Sequence, residues 1–593
     1  MTRAAPAAAA VEPTPVETTS PRPELTARAL AMGGAIGAVL AAGNVYTGLK
    51  ISLIDGGSIT AALLGFVFFA GFRGLARGPY TALENNITQT AASSAAIMGF
   101  VAGTGGGVPA LALLGRSFPG WALALWGVAI ALVGVVAAAL LRRKLVVEDA
   151  LPFPTGNATG DLIETMFAGR EDALRRARLL IGGALAAALV TWFRDGWPHL
   201  IPESTALGGA IGGISLGVLT LEVSWSPLLL STGVMMGLRA SLSMALGAGI
   251  GWLGLVPWLV RAHVVKEAGF AACAPWLVWP GLGLLLAGSF VPLILDWRSI
   301  VRSVRDLGAL VARGGEAVPD LHPAGRTSSL GGPALALALL ALAVVWRGEF
   351  RLSPFSLLAA VAAALVLAVV SSRATGETDL APVGPIGTLT QLLFAGSGPT
   401  LAILAGTVAM GISSQAAQTL WAFKAGTRVG ATPRAQILAQ LLGALVGGLV
   451  LVPVYLVLVK AYGVGTQTLP APSAISWKAT AEAVGGGLSA LPPHATAAGA
   501  IALVVGALLG VLGARAPRWG RYLPSPTAMG IAMLMPASMS LAVLAGAVLG
   551  VALKWLRPSL DQESMTSLAA GGIAGESVTG VLVAIAKVTG LLR

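Results

Sequence analysis

Residues 119–141 read PGWALALWGVAIALVGVVAAALL and are followed at once by Arg142, Arg143 and Lys144. The run carries no charge and exceeds the roughly 20 apolar residues that a helix needs to cross a bilayer core. Three cations at its end assign that end to the cytoplasm, where Lys and Arg accumulate beside spans. The same pattern recurs along nearly the whole chain. Further spans are expected near 27–48, 57–72, 82–104, 178–194, 205–222, 277–296, 332–347, 354–372, 383–397, 399–421, 434–459, 497–514 and 566–591.

Two stretches resist a single-helix reading. Residues 226–260 are too long for one span and contain Arg239, which predicts a broken or strongly tilted helix. Residues 524–556 are interrupted at Pro536-Ala537-Ser538, which predicts two half-helices or a hairpin. Irregular backbone is tolerated in a membrane only where protein or a protected cavity surrounds it. The fold class is therefore an all-α polytopic membrane protein, with about 14 to 16 transmembrane helices and broken or re-entrant segments. A loose echo between 57–104 and 399–459 points to internal duplication, with a repeat boundary expected in the loop near 297–331.

Residues 1–24 are rich in Ala, Pro and Thr and read as a disordered cytoplasmic tail, leaving 25–593 as one transmembrane domain. The basic groups from Arg73 and Arg77 to Arg515, Arg518 and Arg521 all fit the cytoplasmic side, which puts the N-terminus inside. Eight tryptophans, Trp121, Trp192, Trp225, Trp276, Trp297, Trp346, Trp421 and Trp555, lie near proposed span ends, where indoles favour the interface.

With 55% hydrophobic and only 11% charged residues, the chain cannot cover a soluble globule and needs lipid around it. Its net charge of +12 is spread over loops instead of forming a stripe, so no nucleic-acid partner is expected. The single Cys273 excludes an internal disulfide, and the four histidines are scattered, so no metal site is expected. No Gly-x-x-x-x-Gly-Lys-Ser/Thr motif is present to supply ATP-driven transport, and no catalytic constellation emerges. Small residues at Gly33/Gly37, Gly209/Gly213/Gly217 and Gly247/Gly251 would let helices approach closely, within the chain or in a homo-oligomer.

The polar groups inside the spans carry the functional signal. Glu84-Asn85-Asn86-Ile87-Thr88-Gln89-Thr90 encircles nearly two helical turns with polar side chains, so this end of the helix cannot face hydrocarbon on any side. It is either a solvated entrance or a polar cavity wall with Glu84 as proton carrier or ion-pair partner. Ser414/Gln418 and Gln415/Thr419 share one helical face, as interhelical glue or as substrate contacts. Leu151 to Gly160, with Pro152, Pro154, Thr155, Gly156 and Asn157, predicts an irregular loop entering a helix. Its N-terminal amides would suit a carboxylate, although a plain loop explains the same letters. Glu576, inside the last span, must be paired or neutralised, by proton coupling or by a partner such as Arg239. Lys50 and Asp55, between the first two spans, read as a pair at the mouth or as solvated groups.

Several of these pieces together resemble the oligopeptide transporter family, especially its bacterial members and the yellow-stripe-like branch. They are Asn44-Val45-Tyr46-Thr47-Gly48-Leu49-Lys50, Glu84 to Ser94, Leu151 to Thr159, Thr378-Asp379-Leu380 through Gln415, Lys424 and Pro433 to Gln436, and Gly571 to Gly580. They run in the family's order over almost the full chain, with Asn157 a departure from its usual loop. The resemblance implies roughly 16 transmembrane helices with internal duplication. It also implies proton-coupled import of small peptides or amino-acid-derived metal chelates, with no cofactor beyond the proton gradient, in a bacterial cytoplasmic membrane.

The expected substrate path comprises Asn44, Tyr46, Asn85, Asn86, Gln89, Thr155, Asn157, Gln415 and Gln418. Glu84, Glu576, Lys50 and Lys424 are expected to couple protons or form ion pairs. A passive channel is the alternative reading, and a membrane-embedded enzyme is a weaker one.

Overall fold

The computed structural model describes residues 24–71, 78–168, 170–295, 297–298, 301, 331–379, 381–486, 492–520, 522–558 and 560–592. The expected tail up to residue 23, Arg73, Arg77 and most of the expected repeat boundary lie outside the described residues. Among the described residues, eleven helices are long and apolar enough to cross a membrane, and two shorter apolar helices accompany them.

The first half contains α1 (Ala27–Ile51), α2 (Ser58–Gly71), α3 (Ala82–Ala96), α4 (Met98–Val101), α5 (Gly107–Leu113), α6 (Gly120–Arg142), α7 (Pro154–Ala168), α8 (Arg170–Asp195), α9 (Pro227–Ala248), α10 (Val256–Arg261) and α11 (Phe270–Leu295). The second contains α12 (Gly331–Gly348), α13 (Pro354–Thr378), α14 (Val383–Leu393), α15 (Pro399–Val429), α16 (Pro433–Tyr462) and α17 (Pro472–Gly486). After these come α18 (Ala495–Arg515), α19 (Pro517–Gly520), α20 (Pro526–Met533), α21 (Ala537–Leu556) and α22 (Gln562–Val588).

The most apolar window of α15 is 94% buried and that of α18 is 6% buried, so α15 forms the centre and α18 the periphery. Helices α3, α6, α7, α13 and α14 pack around α15, while α8 pairs with α22, α9 with α21 and α11 with α18. The close approach of α1 to α3 depends on glycine: a Cβ on Gly33 would stand 2.8 Å from that of Ala91, and one on Gly37 2.7 Å from that of Ala95.

Both irregular stretches are broken helices. Helix α9 is kinked at Gly237, with φ of 75°, and passes through a π-helical turn at Gly249–Leu255 into α10. The 524–556 stretch divides into α20 and α21 around Leu534-Met535-Pro536.

The expected span at 205–222 is not a helix. It forms two small antiparallel pairs, Ser204–Ala206 with Glu222–Ser224 and Ala210–Ile211 with Ile214–Ser215. Gly209, Gly212, Gly213 and Thr220 all adopt positive φ, which a right-handed helix cannot accommodate, so the expected small-residue helix face at Gly209/Gly213/Gly217 does not exist. The segment serves the broken helix instead. Thr220 Oγ1 accepts from the Ala537 amide at 2.9 Å and the Thr220 carbonyl accepts from Ser538 at 2.9 Å, satisfying donors freed by the break.

Two further expectations change. Trp276 and Trp346 are buried in the core and not at an interface, whereas Trp121, Trp192, Trp225, Trp297 and Trp555 are exposed. Residues 383–397 make only the short α14 and a 3-10 turn, and α17 was not anticipated.

Candidate functional site

Helix α3 begins with Thr81 as N-cap in a reciprocal capping box with Glu84, which fixes where the polar run enters the bundle. Glu84 accepts from Arg28 Nε at 2.7 Å, Arg28 Nη2 at 2.7 Å and Thr26 Oγ1 at 2.6 Å. It is thus an ion-pair partner that ties the N-termini of α1 and α3.

Beyond it, Asn85, Asn86, Thr88, Gln89, Thr90, Ser93 and Ser94 are all fully buried, because α1, α2, α15 and α16 enclose α3. These side chains are enclosed by neighbouring helices and are not solvated at an entrance. Asn85 Nδ2 donates to the Ala62 carbonyl at 3.0 Å, and Gln89 Nε2 donates to Asn86 Oδ1 and Thr90 Oγ1 at 3.0 Å each. On α15, Gln415 Nε2 donates to Ser94 Oγ at 3.1 Å and to Gln440 Oε1 of α16 at 3.0 Å.

Several groups remain unpartnered: Asn85 Oδ1, Asn86 Nδ2, Gln89 Oε1, Ser413 Oγ, Gln415 Oε1 and Gln440 Nε2. A buried polar atom left unsatisfied costs about 1–3 kcal/mol, so this face is built at the expense of stability. Gln440 was not singled out from sequence. Its signal is an amide one turn beyond Gln436 inside an apolar span.

Asn44 and Gln418 meet at the link between α1 and α2. Asn44 Nδ2 donates to the carbonyls of Asp55 at 2.7 Å and Ala96 at 2.9 Å, and Gln418 Nε2 donates to Ser58 Oγ at 3.1 Å. Asn44 therefore clamps backbone, and its N–H groups are already committed.

Glu576 lies in a different, fully saturated cluster. It accepts from Lys50 Nζ at 3.0 Å, Arg194 Nη2 at 3.2 Å, Ser226 Oγ at 2.8 Å and the Leu228 amide at 2.9 Å. Arg194 makes a second, bidentate pair with Asp195 at 2.6 Å, and Lys50 also donates to Tyr46 Oη at 3.0 Å. Two cations thus balance two acids, fastening α22 to α1, α8 and the start of α9. The expected alternative partner, Arg239, donates instead to the Leu523 carbonyl. Lys50 and Asp55 do not form a mouth pair, since Lys50 turns to Glu576. Arg194, missed from sequence, stands at the end of the 178–194 span beside Asp195, a visible but uninterpreted pair of charges.

The Pro-rich loop is a third location. Helix α7 starts at Pro154, and the Thr155 amide and hydroxyl donate to Asp379 at 2.9 and 2.6 Å, while Trp421 Nε1 donates to the same carboxylate at 2.8 Å. The carboxylate suited to this helix N-terminus is the chain's own. Asn157 Nδ2 donates to the Pro152 carbonyl at 2.7 Å. Lys424 packs over Gly156 and has no carboxylate in salt-bridge reach among the described residues.

A model of the family described as "OPT oligopeptide transporter protein" matches residues 24–587. A Saccharomyces cerevisiae protein named "Putative oligopeptide transporter YGL114W" is 24% identical, covering 94% of this chain and 95% of its own length. A rice protein named "Probable metal-nicotianamine transporter YSL9" is 23% identical, over 96% of this chain and 90% of its own. A Haemophilus influenzae protein named "Putative oligopeptide transporter" is 24% identical, over 91% and 92%. With a family match across essentially the whole multi-pass membrane domain, the chain belongs to the OPT oligopeptide transporter family, a family of transporters and not of enzymes.

Proposed function

We propose that this protein is a secondary active importer of small oligopeptides or peptide-like metal chelates. In this reading it uses the proton gradient across a bacterial cytoplasmic membrane and keeps its N-terminus inside. The observation that carries the reading is the run of buried amides with unmet hydrogen bonds along α3, α15 and α16. Neutral amides that can both donate and accept suit a zwitterionic solute rich in carboxylates and peptide groups. The family match and the names of its relatives support the same substrate class.

Of the two buried acids, Glu84 is the better coupling residue. Its partner Arg28 is 24% exposed, whereas both cations on Glu576 are sealed. A proton on Glu84 would release Arg28 and loosen α1 from α3, while a proton on Glu576 would leave Lys50 and Arg194 facing the single acid Asp195.

The test is uptake by Glu84→Gln protein in liposomes under an inward proton gradient. Loss of protonophore-sensitive accumulation, with substrate exchange across the membrane retained, is the expected result. Accumulation equal to wild type removes Glu84 from the coupling mechanism. A passive channel is rejected by any accumulation against the solute's own gradient.

A further inference from the structure

The link Ser52–Gly57 between α1 and α2 is not helical, and it runs back along the helix it has just left. Ile54 Cδ1 sits where Gly48 and Gly99 leave room, 3.2 and 2.8 Å from the Cβ each glycine lacks, and Gly57 meets Leu40. Both backbone groups of Asp55 are held by Asn44, whose Nδ2 donates to the Asp55 carbonyl at 2.7 Å while its Oδ1 accepts from the Asp55 amide at 3.4 Å. Asn44 lies about two turns, roughly 10 Å, inside the C-terminal end of α1 and about 25 Å from its start. Asp55 is therefore fixed at membrane depth.

Non-helical backbone at that depth persists only inside protein or beside a water-filled cavity. Asp55 itself is exposed, so at this depth only the second description fits it. A carboxylate exposed on non-helical backbone at this depth requires water beside it and not hydrocarbon. Among the described residues no Lys, Arg or His stands within salt-bridge distance of it, and the nearest cation in sequence, Lys50, is committed to Glu576. The neighbouring Gln418 has its Nε2 on Ser58 and presents Oε1 beside Gly56. The wall at this point offers oxygen acceptors without a counter-charge.

We propose that Asp55 is the binding site for a cationic group, the ammonium of a zwitterionic substrate, in an aqueous cavity within the membrane. This rests on the transport reading above for the identity of the ligand, but not for the existence of the cation site. An ammonium brings three donors to a carboxylate and an amide oxygen, and supplies the charge that an acid at this depth lacks.

Two measurements decide it. In a Cys273→Ala background, Leu53→Cys places a thiol at an exposed position two residues from Asp55. Its reaction rates with trimethylammonioethyl and sulfonatoethyl methanethiosulfonate give a cation-to-anion ratio. Adding Asp55→Asn is expected to lower that ratio by about tenfold or more. An unchanged ratio, or an unreactive thiol, overturns the cation site whatever the transport assay gives.

In liposomes, Asp55→Asn is expected to raise the KM for trialanine by about tenfold or more while leaving inhibition by N-acetyl-trialanine unaltered, and Asp55→Glu should restore part of the affinity. Equal losses for both peptides, or an unchanged KM with lost accumulation, contradict ammonium recognition; the second result would make Asp55 a coupling acid. If wild-type vesicles accumulate no peptide, the transport reading fails and the labelling ratio alone judges the site.

Discussion

Around Glu576 every charge has a partner: two cations, two acids, a serine hydroxyl and a backbone amide close a neutral network that joins four elements. Along α3, α15 and α16 the opposite holds, with six buried polar atoms that nothing in the described protein satisfies. The same physics separates the two regions. A buried charge without a partner would destabilise the fold outright, so the charged network must be complete before anything binds. A neutral amide with one unmet hydrogen bond is tolerable, and its unmet capacity is available to a solute or to water. The saturated region holds the helices, and the unsaturated one is the candidate path.

The largest effect is expected where the saturated network is cut. Glu576→Gln leaves Lys50 and Arg194 short of an acid, a change of the kind that costs about 3–5 kcal/mol in a buried pair. The measurement is thermal unfolding of the detergent-solubilised protein, with a marked fall in Tm expected and partial recovery when Lys50→Met is added. A Glu576→Gln protein that melts with wild type would mean the network is not what secures α22.

Gln89→Leu sharpens the other side of the comparison. It removes an unpartnered Oε1 but also the Nε2 bonds to Asn86 Oδ1 and Thr90 Oγ1, so Tm should fall by less than in Glu576→Gln, while uptake is expected to fall by about tenfold or more if Gln89 is a path contact. Retained uptake would reduce this amide to helix glue. The smallest effect belongs to the loop. Asp379→Asn weakens the charge-assisted bonds to Thr155 and Trp421, worth about 1–2 kcal/mol together. Faster hydrogen exchange over 151–160 should appear, with uptake changed only a few-fold.

The spans, the broken α9–α10 and α20–α21 stretches and the enclosed polar turn at Glu84 to Thr90 were legible because hydropathy, length and the 3.6-residue period report them directly. The 205–222 segment was misread because its composition is apolar, while its fold depends on backbone angles at Gly209, Gly212, Gly213 and Thr220 that hydropathy does not register. Pairing was harder still. Glu576 announced its need for a cation, but the choice of Lys50 and Arg194 over Arg239 depends on how helices far apart in sequence pack. Asp55 read as half of a mouth pair or as a solvated group, because the Asn44 bond that draws its backbone back along α1 is made across a non-helical link that periodicity does not report.

The central claim is that the unsaturated path carries peptide-like solutes driven by protons. Its most direct test offers purified wild-type protein in liposomes, under an inward proton gradient, a mixture of di- to hexapeptides and iron-chelator complexes, with mass spectrometry of what enters. Unaltered solute of one class accumulating above its external concentration, and leaking away when a protonophore is added, is the predicted result. Folded protein in sealed vesicles that accumulates neither class, or that equilibrates solute without regard to the proton gradient, would contradict it.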